Sequence, residues 1–262
     1  MNTILLGDCR DQMKILGDES VHLTCTSPPY YNAKSYSTWP TYEEYLSFLY
    51  ATFKEVYRVT EKGRMCCVNL SPVIQPRESR NHESRRLPIT FDFFTIMKGQ
   101  GWKYIDDIVW EKQEGASINR NGNFFQMRKP VAYKPNIVTE TIFIFQKPID
   151  GLIDKVIKSY SDDVVKESLV EDGYERTNVW KFPPDTRSKH PAPYPTALSD
   201  RIIKYYSYKH DLVLDPFMGS GTTAVSAKNL DRRFVGCEIH EEYVKMAEER
   251  LAKVNPLASL YV

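Results

Sequence analysis

Short apolar runs alternate along the chain with longer segments whose apolar positions recur every three to four residues. The runs at 3–6, 21–26, 64–69, 104–110, 139–146, 212–215 and 233–238 read as strands. Segments 41–58, 89–99 and 241–253 carry the helical spacing. Strands that take turns with helices predict an α/β fold, a doubly wound sheet covered on both faces. Two long irregular stretches, 71–88 and 111–135, interrupt the pattern, and loops of that length are commonly functional or disordered. A third segment, 147–189, reads as partly helical and acidic.

Composition narrows this picture modestly. With 262 residues, 42% of them hydrophobic, the chain can bury one substantial core and is expected to form a single domain, 1–262. The net charge of +1 selects no partner. No apolar stretch approaches the roughly 18 residues of a membrane span, and the N-terminus lacks a signal-peptide pattern, so a cytoplasmic protein with no membrane partner is expected. The five cysteines, Cys9, Cys25, Cys66, Cys67 and Cys237, lie mostly in strand-like runs without Cys-x-x-Cys spacing. Free core thiols, no disulfide and no metal site are the expectation.

Two turns carry the candidate chemistry. Ser27-Pro28-Pro29-Tyr30 follows the apolar run 21–26. The two prolines fix φ and donate no hydrogen, so the turn is rigid, rich in acceptors and followed by an aromatic ring, a place to hold a planar amine. Pro-Pro turns also end strands in ordinary loops, so this turn alone decides nothing. The second turn, Asp215-Pro216-Phe217-Met218-Gly219-Ser220-Gly221-Thr222-Thr223, links a predicted strand to a helix. Gly219 and Gly221 can take positive φ and admit a ligand close to the backbone, and free N–H groups of the following helix face the same crevice. Glu238 ends the next predicted strand, where an acidic residue commonly binds ribose hydroxyls. No Gly-x-Gly-x-x-Gly or Gly-Lys-Ser/Thr is present, which disfavours pyrophosphate and triphosphate and leaves a nucleoside without phosphates.

Thr26-Ser-Pro-Pro-Tyr30 together with Asp215-Pro-Phe-x-Gly-Ser-Gly-Thr-Thr223 resembles the S-adenosylmethionine-dependent amino-methyltransferases of DNA. The order of the two motifs, catalytic first and cofactor-binding last, is similar to the permuted β group. Ile4 to Cys9, Gly101 to Ile105 and His190-Pro-Ala-Pro-Tyr-Pro195 agree with it. The resemblance implies a Rossmann-like sheet of seven mostly parallel strands with one antiparallel. It also implies S-adenosyl-L-methionine as cofactor, with double-stranded DNA as substrate. A restriction-modification setting follows, with a cognate restriction endonuclease as functional partner, and a homodimer is compatible with it. Ser27, Pro28, Pro29 and Tyr30 are the implied catalytic residues. Asp8, Cys9, His190, Asp215, Pro216, Phe217, Gly219, Ser220, Gly221, Thr222 and Glu238 are the implied cofactor residues. Asp215 would accept from the methionine amino group, Phe217 pack on the cofactor, and Glu238 bind the ribose. Asp8 could equally cap a helix before Gln12 to Leu16, and both roles can hold together.

The acceptor follows from the same residues. An exocyclic amine is a weak nucleophile because its lone pair is delocalised into the ring, and acceptors from Ser27 and the Pro28 carbonyl would localise it. Tyr30 would stack on a base taken out of the duplex. Carbon methylation would require the family's Pro-Cys dipeptide, and no cysteine here follows a proline. Within the family Ser-Pro-Pro-Tyr goes with cytosine N4 and Asp-Pro-Pro-Tyr with adenine N6. The Tyr194 found in place of a lysine points the same way, so cytosine N4 is favoured over adenine N6.

Charge locates the DNA surface. Between 112 and 134, Lys112, Arg120, Arg128, Lys129 and Lys134 face one acid, Glu114, with Asn119, Asn121, Asn123, Gln126, Phe124 and Phe125 among them. That mixture suits phosphate contacts, base-edge hydrogen bonds and wedging, so 111–135 is the expected DNA-contacting loop. Arg77 and Arg80 belong to a second basic stretch. The segment 147–189 occupies the family's target-recognition position, although its charges nearly balance.

Overall fold

The computed structural model describes residues 1–32, 38–75, 79, 81, 84–112, 135, 137–170, 173–183 and 195–254. Strand β1 (Asn2–Leu6) leads into α1 (Cys9–Gln12), which one 3-10 turn extends, and then β2 (Val21–Thr26), α2 (Tyr42–Val59) and β3 (Thr60–Leu70) follow. Next come β4 (Val73–Gln75), β5 (Arg85–Leu87), α3 (Ile89–Gly99), β6 (Lys103–Glu111) and β7 (Thr139–Gln146). Then α4 (Asp154–Ile157), α5 (Asp162–Glu167) and β8 (Val179–Lys181) lead to α6 (Thr196–Tyr206) and β9 (Leu212–Asp215). The last elements are α7 (Thr222–Asn229), β10 (Arg233–Glu238) and α8 (Glu241–Ala252).

One eight-stranded sheet organises the chain, in the order β1-β10-β9-β2-β3-β7-β6-β8. Only β7 runs against the others. The seven predicted strands are all present with the expected single reversal. The eighth, β8, is a three-residue edge strand drawn from 147–189, and α4 and α5 supply that segment's helical part. Within the stretch read as irregular at 71–88, β4 and β5 pair as a small separate hairpin.

Side chains that alternate along each strand fill two cores, one per face, as the period of two requires. Val68, Phe143, Phe145, Leu214 and Val235 point to one face, under Tyr45, Leu49, Phe53 and Val56 of α2 and Phe93 of α3. Leu23, Cys67, Ile142, Ile144 and Val213 point to the other, under Leu198 and Ile202 of α6, Ala224 and Ala227 of α7 and Ala247 of α8. Helix α2 forms where the pattern placed it. Its apolar stripe recurs every three to four residues, Thr41 accepts from the Glu44 N–H at 3.2 Å, and Glu43 and Glu44 occupy the positive first turn. All five cysteines are buried and none is in a disulfide.

The topology also fixes where a ligand can enter. From β9 the chain crosses through α7 to β10 on one side, whereas from β2 it crosses through α2 to β3 on the other. The two crossovers part between β9 and β2, which leaves a crevice at the carboxyl ends of that strand pair.

Candidate active site

Asp215 and Thr26 close the floor of this crevice from its two sides. Thr26 Oγ1 donates to Asp215 Oδ1 at 2.6 Å, and the Phe217 N–H reaches the same oxygen at 3.0 Å. Burial pushes the Asp215 carboxyl up to about 6, against the pull of the Thr26 and Thr223 hydroxyls and the Phe217 N–H, while the Glu238 charge pushes it further up. A buried anion of this kind invites a cation.

The glycine turn has the backbone conformation expected of it. Gly219 has φ of 52° and Gly221 of 80°, both left-handed. A Cβ on Gly221 would also lie 2.7 Å from that of Ala247, so only glycine fits there. The side chains of Ser220 and Thr222, expected at the cofactor, turn instead toward α8. Arg250 Nη1 binds Ser220 O at 2.7 Å, Ser220 Oγ at 3.0 Å and Thr222 Oγ1 at 3.0 Å, tying the turn to that helix. Pro216 is buried, and Phe217 packs its ring against Phe48 and Phe53. Glu238 takes the Gly219 N–H on Oε2 and the His240 N–H on Oε1, each at 2.8 Å. Each oxygen keeps a further lone pair, so a ribose hydroxyl can still donate to it.

Asp8 caps α1, accepting from the Arg10 N–H at 2.9 Å. The Arg10 guanidinium, 2.6 Å from Oδ2, holds the Asp8 carboxyl below the usual carboxylate range against its partial burial. Of its two readings, the helix cap is therefore seen. The Cys9 thiol is buried beside Thr52 Oγ1 at 3.8 Å, and burial pushes it up to about 11. Its thiol is core, so any cofactor contact there is made by backbone. Glu238 and Asp215 end β10 and β9, Asp8 and Ser27 come just after the neighbouring strands β1 and β2, and the four so line one edge.

The Ser27 turn stands beside this row. Ser27 Oγ lies 3.2 Å from the Asn69 carbonyl, to which it donates, and 3.4 Å from Asn69 Nδ2. Its hydrogen is thus committed to the protein, and a lone pair remains for an incoming amine. Tyr30 OH donates to Glu140 Oε2 at 3.0 Å, Asn69 Nδ2 donates to the same oxygen, and Lys112 Nζ pairs with Oε1. Lys112, counted above among the DNA-facing cations, instead has a side chain only 11% exposed, stacked 4.0 Å from the Trp110 ring centre. Asn69, Glu140 and Arg250 were absent from the sequence expectations, and Thr26 entered only as the first residue of its motif, with no role assigned. A lone carboxylate inside the apolar run 139–146 was the one visible signal. His190 and Tyr194, Arg77 and Arg80, and Arg120, Arg128 and Lys129 lie outside the described residues. Among the described residues, no group of three or more His, Cys, Asp or Glu could hold a metal, and no helix is long and apolar enough to cross a membrane.

A buried carboxylate for an ammonium, left-handed glycines for close backbone approach and a carboxylate at the next strand end fit S-adenosylmethionine, a phosphate-free nucleoside. Comparisons with known proteins agree. The chain is 29% identical over 262 residues to the type II methyltransferase M.ScaI of Streptomyces caespitosus, covering 94% of this chain and 79% of that one. It spans only 27% of the length of the type II beta methyltransferase M.BslI of Bacillus sp. (strain NEB-606). The fold superposes with a TM-score of 0.77 on a DNA modification methylase from Thermus thermophilus complexed with S-adenosyl-L-methionine, at 24% identity over 98% of this chain and 95% of that one. The cytosine-N4-specific PvuII DNA methyltransferase shares the fold with a TM-score of 0.70, at 19% identity over 95% and 86% of the two chains. The model of the DNA methylase family, whose label names N6 and N4, matches residues 21–249, and the chain belongs to that family, as an S-adenosylmethionine-dependent DNA amino-methyltransferase.

Proposed function

We propose that this protein methylates the exocyclic N4 amine of a cytosine extruded from DNA, as the modification enzyme of a restriction-modification system. The observation that carries this reading is Ser27, whose hydrogen is committed to the Asn69 carbonyl and which therefore offers an acceptor beside Asp215. When bound, S-adenosylmethionine supplies the electrophilic methyl of a sulfonium. Ser27 and the Pro28 carbonyl accept from the amine hydrogens, which concentrates the lone pair on nitrogen and aims it at the methyl group. The Tyr30 ring stacks on the extruded base. Asp215 binds the amino group of the methionine, Glu238 binds the ribose, and the glycine turn admits the cofactor close to the backbone.

Two features favour an amine over a ring carbon. No cysteine follows a proline, and all five thiols are buried, so no thiolate is available as a nucleophile. The choice of cytosine rests on Ser27, a small neutral group where adenine enzymes carry an acid. Adenine N6 is the alternative. Arg77, Arg80, Arg120, Arg128 and Lys129 are the proposed phosphate and base contacts. Enzymatic digestion of DNA methylated by the protein, with the nucleosides weighed by mass spectrometry, tests the assignment. N4-methylcytosine is the expected product. N6-methyladenine as the sole product refutes it.

A further inference from the structure

We infer that Glu140, pinned by Lys112, is the positioning residue that holds both ends of the Ser27-Pro28-Pro29-Tyr30 turn, and so sets the angle at which the target amine meets the methyl donor. The inference deepens the reading of that turn as an amine clamp and rests on it.

The argument starts from rigidity. Pro28 and Pro29 leave the turn few internal degrees of freedom, so its orientation is decided at its two ends. Both ends are anchored to the same pair of buried side chains. Tyr30 OH donates to Glu140 Oε2 at 3.0 Å, and Ser27 is held by Asn69, whose Nδ2 also reaches Glu140 Oε2. Asn69 is 2% exposed and Glu140 3% exposed.

Glu140 is suited to this by its chemistry. An ionised carboxylate only accepts, so it admits the Tyr30 hydrogen and the nitrogen end of the Asn69 amide and excludes the oxygen end. Asn69 Oδ1 is left buried without a partner among the described residues, the mark of an orientation imposed by its neighbour. With Nδ2 turned to the serine, the Ser27 hydrogen goes to the Asn69 carbonyl at 3.2 Å. Lys112 supplies the charge that lets Glu140 stay ionised inside the protein, and the Trp110 ring holds the ammonium from its other side.

The pieces come from four strands. Ser27 follows β2, Asn69 lies near the end of β3, Lys112 follows β6, and Glu140 is the second residue of β7, the one reversed strand. Reversal brings the start of β7 to the edge where its neighbours finish. Glu140 reaches the site for that reason alone.

Methyl transfer from tritiated S-adenosylmethionine into unmodified genomic DNA tests this, with cofactor binding measured separately by calorimetry. Glu140→Gln is expected to lower kcat by about tenfold or more, with cofactor affinity within about twofold of the parent. The double variant Lys112→Met, Glu140→Gln removes both charges together, which buried ion pairs tolerate, and is expected to fold and to show the same loss. In a Ser27→Ala, Tyr30→Phe background Glu140→Gln is expected to add less than about a twofold loss, because the groups it positions are gone. An unchanged kcat overturns the inference. So does a full additional loss in that background, or a loss of cofactor affinity equal to the loss of rate. Failure of Ser27→Ala to slow transfer defeats the clamp reading itself, a separate result.

Discussion

The cofactor half of the crevice and the target half are built in opposite ways. At β1, β10 and β9 the carboxylates lean mainly on backbone N–H groups within two residues or in the adjoining strand-end turn, as with Asp215 to Phe217 and Glu238 to His240 and Gly219, the Thr26 hydroxyl on Asp215 being the long-range exception. At β2, β3, β6 and β7 the polar work is done mainly by side chains bonded to side chains far away in sequence, Tyr30 to Glu140 and Asn69 to Glu140. Backbone donors survive most substitutions, whereas side-chain networks do not. The cofactor half is thus robust and general, and the target half is specific and exposed to single changes.

That contrast makes measurable claims. Ser27→Ala should have the largest effect, cutting single-turnover methyl transfer by about a hundredfold while calorimetric binding of S-adenosylmethionine stays within about twofold. Parallel losses of rate and affinity would show that the halves are not separable. Asp215→Asn should do the reverse, weakening cofactor binding by about tenfold to a hundredfold at neutral pH. Its pH dependence sharpens the point. Because the folded value is raised to about 6, the ionised form that pairs with an ammonium is present above that pH and lost below it. Affinity of the parent should therefore fall as the pH drops through about 6, and that of Asp215→Asn should stay flat across the same titration. The smallest effect is expected from Arg128→Glu with Lys129→Glu. The slope of log affinity for DNA against log salt should shrink by about 2, with cofactor binding unmoved. An unchanged slope would remove those two residues from the DNA surface.

The same division explains what could be read from the chain. Ser27 to Tyr30 and Asp215 to Thr223 were legible because their demands are local: proline fixes φ, glycine permits the left-handed turn, and each follows an apolar run. Seven of the eight strands of the sheet were legible too, including the reversed one as a run, since burial on both faces makes the central ones near-continuous apolar runs. Glu140 was not, because its partners Tyr30, Asn69 and Lys112 lie 110, 71 and 28 residues away and nothing in its neighbourhood encodes them. Arg250 reads as an ordinary surface charge on α8 until the turn at Ser220 is seen beneath it. Lys112 misled for a related reason, since a count of charges ignores which way a side chain points. The strands β4, β5 and β8 are three residues long, too short for any period to show.

Lys112 and Glu140 also stand at the two ends of one stretch of chain, and the Lys112 N–H binds the Val138 carbonyl at 2.7 Å. A segment whose ends are already fastened can change length at a cost that grows only with the logarithm of its size. Because the Lys112–Glu140 ion pair is made at the base, the support it gives the Ser27 turn does not depend on the length of the chain that joins the two residues.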